Sequence, residues 1–114
     1  MPPPSKLAVA TGSVTRLVKE EASYHKELVQ QEERIKKLEA SEGDENKEYT
    51  LRQEKQALQE TQNVFPALRT RIEQAVERLE SELENSKDTG GDSNEIKKAE
   101  DALVAGRKVV AEES

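Results

Sequence analysis

A chain of 114 residues with no repeat longer than a heptad has room for one small domain, residues 1–114. Its 37% charged residues, 32% hydrophobic residues and 3% aromatics permit a narrow apolar seam and exclude a thick globular core. The absence of cysteine excludes disulfides and thiolate metal sites, and a net charge of −6 argues against a nucleic-acid partner, because phosphate binding is driven largely by Lys and Arg.

Few aromatics and a high charge also fit disorder, but the arrangement of the residues opposes it. Ala, Glu, Lys, Leu and Arg supply 59 of the 114 residues, the composition of long helices and coiled coils. No stretch has the apolar run of a signal peptide or a membrane span. A cytoplasmic protein with no membrane partner is the expectation.

In chain order, residues 1–5 form a leader that its prolines keep out of a helix, and Ser5 is placed to cap a helix that begins just after it. A heptad line then runs Leu7, Ala10, Val14, Leu17, Glu21, Tyr24, Leu28, Gln31, Ile35, Leu38. Glu21 and Gln31 are expected to weaken it. Gly12 costs a helix interior up to about 1 kcal/mol relative to Ala, so the first turns are expected to be loose. Residues 41–47 lack any apolar side chain and carry Gly, Asp and Asn, which predicts a turn.

The second line is the spine of the chain: Leu51, Leu58, Phe65, Ile72 and Leu79 recur every seven residues, flanked by Val64, Val76 and Leu83. This spacing suits a long helix with more than one partner. Pro66 removes the bond to the Gln62 carbonyl at a cost of roughly 3 kcal/mol. The line keeps its phase across the proline, which predicts one kinked helix and not two helices with a turn. If the first turn centres near Asp44, residues whose numbers sum to about 89 face each other across an antiparallel pair. Leu38 then meets Leu51, Tyr24 meets Phe65, and Ala10 meets Leu79. After a second break at residues 86–92, Asp92 and Glu95 have capping-box spacing. A third line runs through Ile96, Ala99, Leu103, Gly106 and Val110. The expectation is an all-α, antiparallel three-helix bundle, up-down-up, with helices over 6–41, 47–86 and 93–112. The short third helix should cover Leu68–Leu83 and leave a two-helix tip.

Nothing in the sequence assembles a catalytic group. His25 is the only histidine, the acidic turns lack the alternating ligands of a calcium loop, and Gly90-Gly91 lacks the ending of a phosphate loop. No cofactor, metal or enzymatic activity is expected, and His25 is expected at the surface or the seam edge. Charge is unevenly shared: residues 1–41 hold seven basic and six acidic residues, residues 42–92 seven and thirteen. Attraction between neighbouring helices explains this most simply, and a surface that orients a partner is the sharper reading.

The residues Thr11-Gly12-Ser13-Val14-Thr15-Arg16-Leu17-Val18-Lys19-Glu20, Tyr24, Lys26-Glu27, Gln31-Glu32-Glu33 and Ile35 resemble the first helix of tubulin-binding cofactor A. Tyr49, Leu58-Gln59-Glu60, Pro66, Arg71-Ile72-Glu73 and Ala75 continue the likeness. It is close over residues 11–85, holds only in pattern for the third helix, and departs at the proline-rich leader and at Gly90-Gly91. The resemblance implies a three-helix chaperone associated with the microtubule cytoskeleton, which uses no nucleotide. Its implied partner is a β-tubulin folding intermediate, held after the chaperonin and before assembly by the other cofactors, which it would meet only indirectly. The alternative is a structural coiled-coil scaffold, which would need the same seams.

Where the third helix ends, Tyr24 and Phe65 should lose cover on one side. Tyr24, Val64, Phe65 and Pro66 are therefore the candidate partner-binding residues, against the plainer reading that the rings close the core. Charge reversals at Lys97 or Lys98, expected on the far side of the third helix, should matter less.

Overall fold

The computed structural model describes residues 3–43 and 45–112. The start of the leader and the expected turn centre at Asp44 lie outside the described residues. Three helices account for nearly all of the rest: α1 (Lys6–Ala40), α2 (Lys47–Asp88) and α3 (Ser93–Glu112), with no strand among the described residues. The ends fall within two residues of those expected from the sequence.

Each boundary has a local cause. The Ser5 side chain accepts the Ala8 N–H at 3.0 Å, so Ser5 caps α1. At the other end of α1, the Lys47 ammonium donates to the Ser41 carbonyl at 2.7 Å and to the Glu39 carbonyl at 3.3 Å. A cation thereby satisfies carbonyls that the helix leaves open at its negative end. α2 closes on Gly90, whose φ of 72° is the left-handed conformation that glycine tolerates best. The Gly91 N–H then reaches the Ser86 carbonyl at 2.7 Å, the long bond of a Schellman cap. Asp92 Oδ1 accepts the N–H groups of Asn94 and Glu95 at 2.8 and 3.0 Å, which starts α3.

The expected capping box is only half made. The Glu95 carboxylate accepts a hydrogen bond from the Ser5 hydroxyl, which ties the first turns of α1 and α3 together. Because each short connection reverses the chain, α1 and α3 run parallel, with α2 antiparallel to both.

The register of the α1–α2 hairpin obeys the rule read from the sequence. Tyr24 and Phe65 are in ring contact, and Arg34 reaches Glu54 at 3.3 Å. α2 runs unbroken through Pro66, and the Thr70 hydroxyl donates to the Pro66 carbonyl at 3.2 Å.

Apolar burial is concentrated at one end. Leu7, Ala10, Val14, Leu68, Ile72, Val76, Leu79, Leu83, Ala99, Ala102, Leu103 and Val109 form one core where all three helices overlap. Gly106 lets α3 approach closely, since a Cβ there would lie 2.7 Å from Val76 Cγ2 and 3.0 Å from Val14 Cγ1. The overall extents are 67 × 33 × 17 Å and the radius of gyration is 19.8 Å, against about 13 Å for a compact domain of about this length. The molecule is a rod with a three-helix base and a two-helix arm.

The packing shows where the three positions expected to be weak lie. Glu21 and Gln31, expected to weaken the seam, are buried to 6% and 3% exposure. They lie inside the interface because the heptad positions point there whatever side chain they carry. Gly12 lies within α1, which is helical from Lys6, on an exposed face with nothing within 4 Å of an added Cβ.

Candidate functional site

The base gives way to the arm at the level where α3 ends, and three of the four residues singled out in the sequence meet there. The 3.5-residue repeat turns Tyr24 of α1 and Phe65 of α2 toward each other. Their ring centroids are 6.4 Å apart with planes at 76°, an edge-to-face pair. Both are half-buried, as is Val64, and Tyr24 and Val64 pack against the edge of the base core. Pro66 is exposed and shares a shallow concavity with Phe65, Arg69 and Thr70.

His25 completes this cluster. Its ring lies 4.5 Å from that of Phe65, tilted by 32°, and its Nε2 is 3.1 Å from Glu21 Oε2 one helical turn earlier. Sequence reasoning placed His25 at the seam edge, which is where it lies. It missed the stacking on Phe65 and the burial of Glu21. The signal was present in the i, i+4 spacing of Glu21 and His25, which puts both on one side of α1.

Further along the arm, the buried positions are Gln31, Ile35 and Thr61. The Thr61 hydroxyl is satisfied by the Ala57 carbonyl at 3.1 Å. Gln31 Oε1 has no hydrogen-bond partner among the described residues. The arm is thus held by one buried aliphatic side chain, half-buried leucines and two buried polar groups.

One expectation about the opposite surface is corrected. Lys98 is not on the far side of α3 but lines the groove between α1 and α3, together with Thr11, Thr15 and Lys19. The repeat of a short helix gives its buried line but leaves open which flank meets which neighbour.

Among the described residues no group of three or more His, Cys, Asp or Glu side chains could hold a metal ion. No described helix is long and apolar enough to cross a membrane. The geometry is that of paired helical faces with a half-covered aromatic cluster.

The profile of the family described as tubulin binding cofactor A matches residues 2–103. The chain belongs to the tubulin-binding cofactor A family. Among its relatives, the human protein called tubulin-specific chaperone A is 40% identical over 83 residues, 73% of this chain and 74% of the relative. The mouse protein of the same name is 39% identical over the same length. The chicken one is 36% identical over 98 residues, 86% of this chain and 87% of the relative. No solved structure matches this chain. For a cofactor A protein, the matched region takes in both long helices and the first half of α3, so the base, the junction and the arm all belong to the family's pattern.

Proposed function

We propose that this chain is a tubulin-folding chaperone that captures β-tubulin folding intermediates after the chaperonin and holds them until the other cofactors assemble the heterodimer. Membership of the cofactor A family carries this reading, since the relatives that match are named as tubulin-specific chaperones. The structure supplies a physical means. Tyr24, Val64 and Phe65 are half-buried beside a charged rim at the end of α3. A client that has not finished folding exposes apolar surface of its own, and covering part of that surface keeps it from aggregating. Binding of this kind needs no nucleotide and no catalytic group, and the chain acts as a holder in the cytoplasm.

The test is capture of purified β-tubulin released from the chaperonin, set beside the size of the pure protein in solution. A monomer that retains β-tubulin agrees with the proposal. A self-associating chain that retains none would be a coiled-coil scaffold. For the junction, Val64→Ser, Tyr24→Phe and Phe65→Leu should each weaken β-tubulin retention more than they lower the melting temperature. Normal melting with parental retention in the Val64 and Tyr24 variants would place the contact elsewhere on the rod.

A further inference from the structure

A long groove runs between the parallel helices α1 and α3, on the flank that α2 does not cover. Two adjoining concavities of about 350 and 420 Å³ make it up. Ala8, Thr11, Gly12 and Thr15 from one wall face Ala102 and Ala105 from the other. Nothing in the fold requires Gly12 there. An added Cβ would touch nothing within 4 Å, so the helix bears the glycine penalty with no internal packing in return. That contrasts with Gly106, where neighbouring valines fill the space. A glycine on the exposed edge of this groove leaves room for the backbone of something that is not part of this chain.

The rim indicates the charge of that occupant. Arg16, Lys19 and Lys98 line the groove, and none of them makes an ion pair among the described residues. The rim also carries two carboxylates, Asp101 and Glu95, the latter still charged although it accepts a hydrogen bond from Ser5, so three cations stand against two acids. In a chain of net charge −6, this strip is locally basic.

The groove also leads to the junction. Thr11, Thr15 and Val18 line it, and the same three- and four-residue steps along α1 continue through Ala22 and His25 to Val29, which is 55% exposed. His25 stacks on Phe65, so the line reaches the aromatic cluster roughly 20 Å beyond Gly12 at 1.5 Å per residue.

We infer that the α1–α3 groove is a docking surface for an acidic helical segment of the client. The segment lies along the groove, approaches closely at Gly12 and points toward the His25–Phe65 stack. A narrow floor of small side chains fits a helix backbone, and a rim of unpaired cations fits Asp and Glu on its flanks. This rests on the tubulin-chaperone reading above and adds the place and the chemistry of contact.

Gly12→Leu puts a bulky side chain over the open edge of the groove from a position with no internal neighbour, so the variant should melt at or above the parental temperature. Its retention of chaperonin-released β-tubulin should fall roughly tenfold or more, about the effect of losing one well-buried contact. Lys19→Glu combined with Lys98→Glu should weaken retention severalfold, with the difference shrinking as salt screens the rim, whereas Lys97→Glu should leave it unchanged. A normally melting Gly12→Leu chain that retains β-tubulin like the parent overturns the groove assignment alone. A parent that retains no β-tubulin overturns both readings. A parental dimer that Gly12→Leu converts to monomer would show that a second copy occupies the groove, and would also overturn the inference.

Discussion

Replacing Gly106 with alanine should destabilise the bundle even though alanine is the better helix former. In a helix interior the exchange gains about 1 kcal/mol of propensity. Opposing it, the new Cβ would come within 2.7 Å of Val76 Cγ2 and 3.0 Å of Val14 Cγ1. Neither valine can yield cheaply: a β-branched side chain has few χ1 states, Val14 is fully enclosed and Val76 nearly so. Overpacking of this kind typically costs about 1–3 kcal/mol. Two contacts on stiff side chains belong at the upper end, which leaves a net loss of about 1–2 kcal/mol. For a domain of this size that lowers the melting temperature by roughly 3–8 °C. Gly12→Ala is the matched control, with the same propensity gain and nothing for the methyl to strike, and should raise it by roughly 2–4 °C. Thermal melts monitored by circular dichroism on the two variants decide the matter. If Gly106→Ala melts at or above the parent, the close approach of α3 is not set by that glycine and the packing argument fails.

Gln31→Leu should stabilise the arm by about 1–2 kcal/mol, since it removes a buried carbonyl oxygen that has no partner; an unchanged or lower urea midpoint would show that the amide is satisfied. Ser5→Ala removes both the cap of α1 and the bond to Glu95 and should cost about 1 kcal/mol, whereas Ser5→Asp, which can still cap, should lose more than the cap alone predicts because it faces Glu95. Pro66→Ala restores a helix donor toward the Gln62 carbonyl and should leave stability equal or higher, while altering β-tubulin retention if the helix shape at Phe65 matters to the partner. A large loss of stability in that variant would mean the bundle packs around the proline.

The parts of this fold visible in the sequence are those that repetition encodes. The heptad lines gave three helices, and the sum rule placed Tyr24 against Phe65 because a short turn leaves two long helices little freedom to slip. Repetition does not encode what a polar residue does when its position points inward, so the heptad line alone leaves open whether Glu21 and Gln31 find partners inside the seam that encloses them. Nor does it fix the angular setting of a 20-residue helix against two neighbours. The flank on which Lys98 lies, and the groove it borders, therefore emerge only from the packing. The Ser5–Glu95 bond joins residues ninety positions apart through a serine whose local pattern announced only a cap. Of the candidate site, the aromatic pair was legible because both rings sit on the seam lines; the stacking of His25 depended on a side chain reaching across from the seam edge.

The uneven distribution of apolar burial along the rod has a consequence for how it comes apart. Contiguous segments with little buried apolar surface open at lower free energy than the rest of a protein. Backbone amides near Gln31, Ile35 and Leu58 should therefore exchange with deuterium sooner than those near Val14, Ile72 and Leu103. Under mild denaturant the two arm segments would separate from the tip downward while the base stayed closed, uncovering Leu28, Leu51 and Leu58 together. A holder built this way can widen its apolar surface for a bulky client without giving up the anchor that keeps it folded.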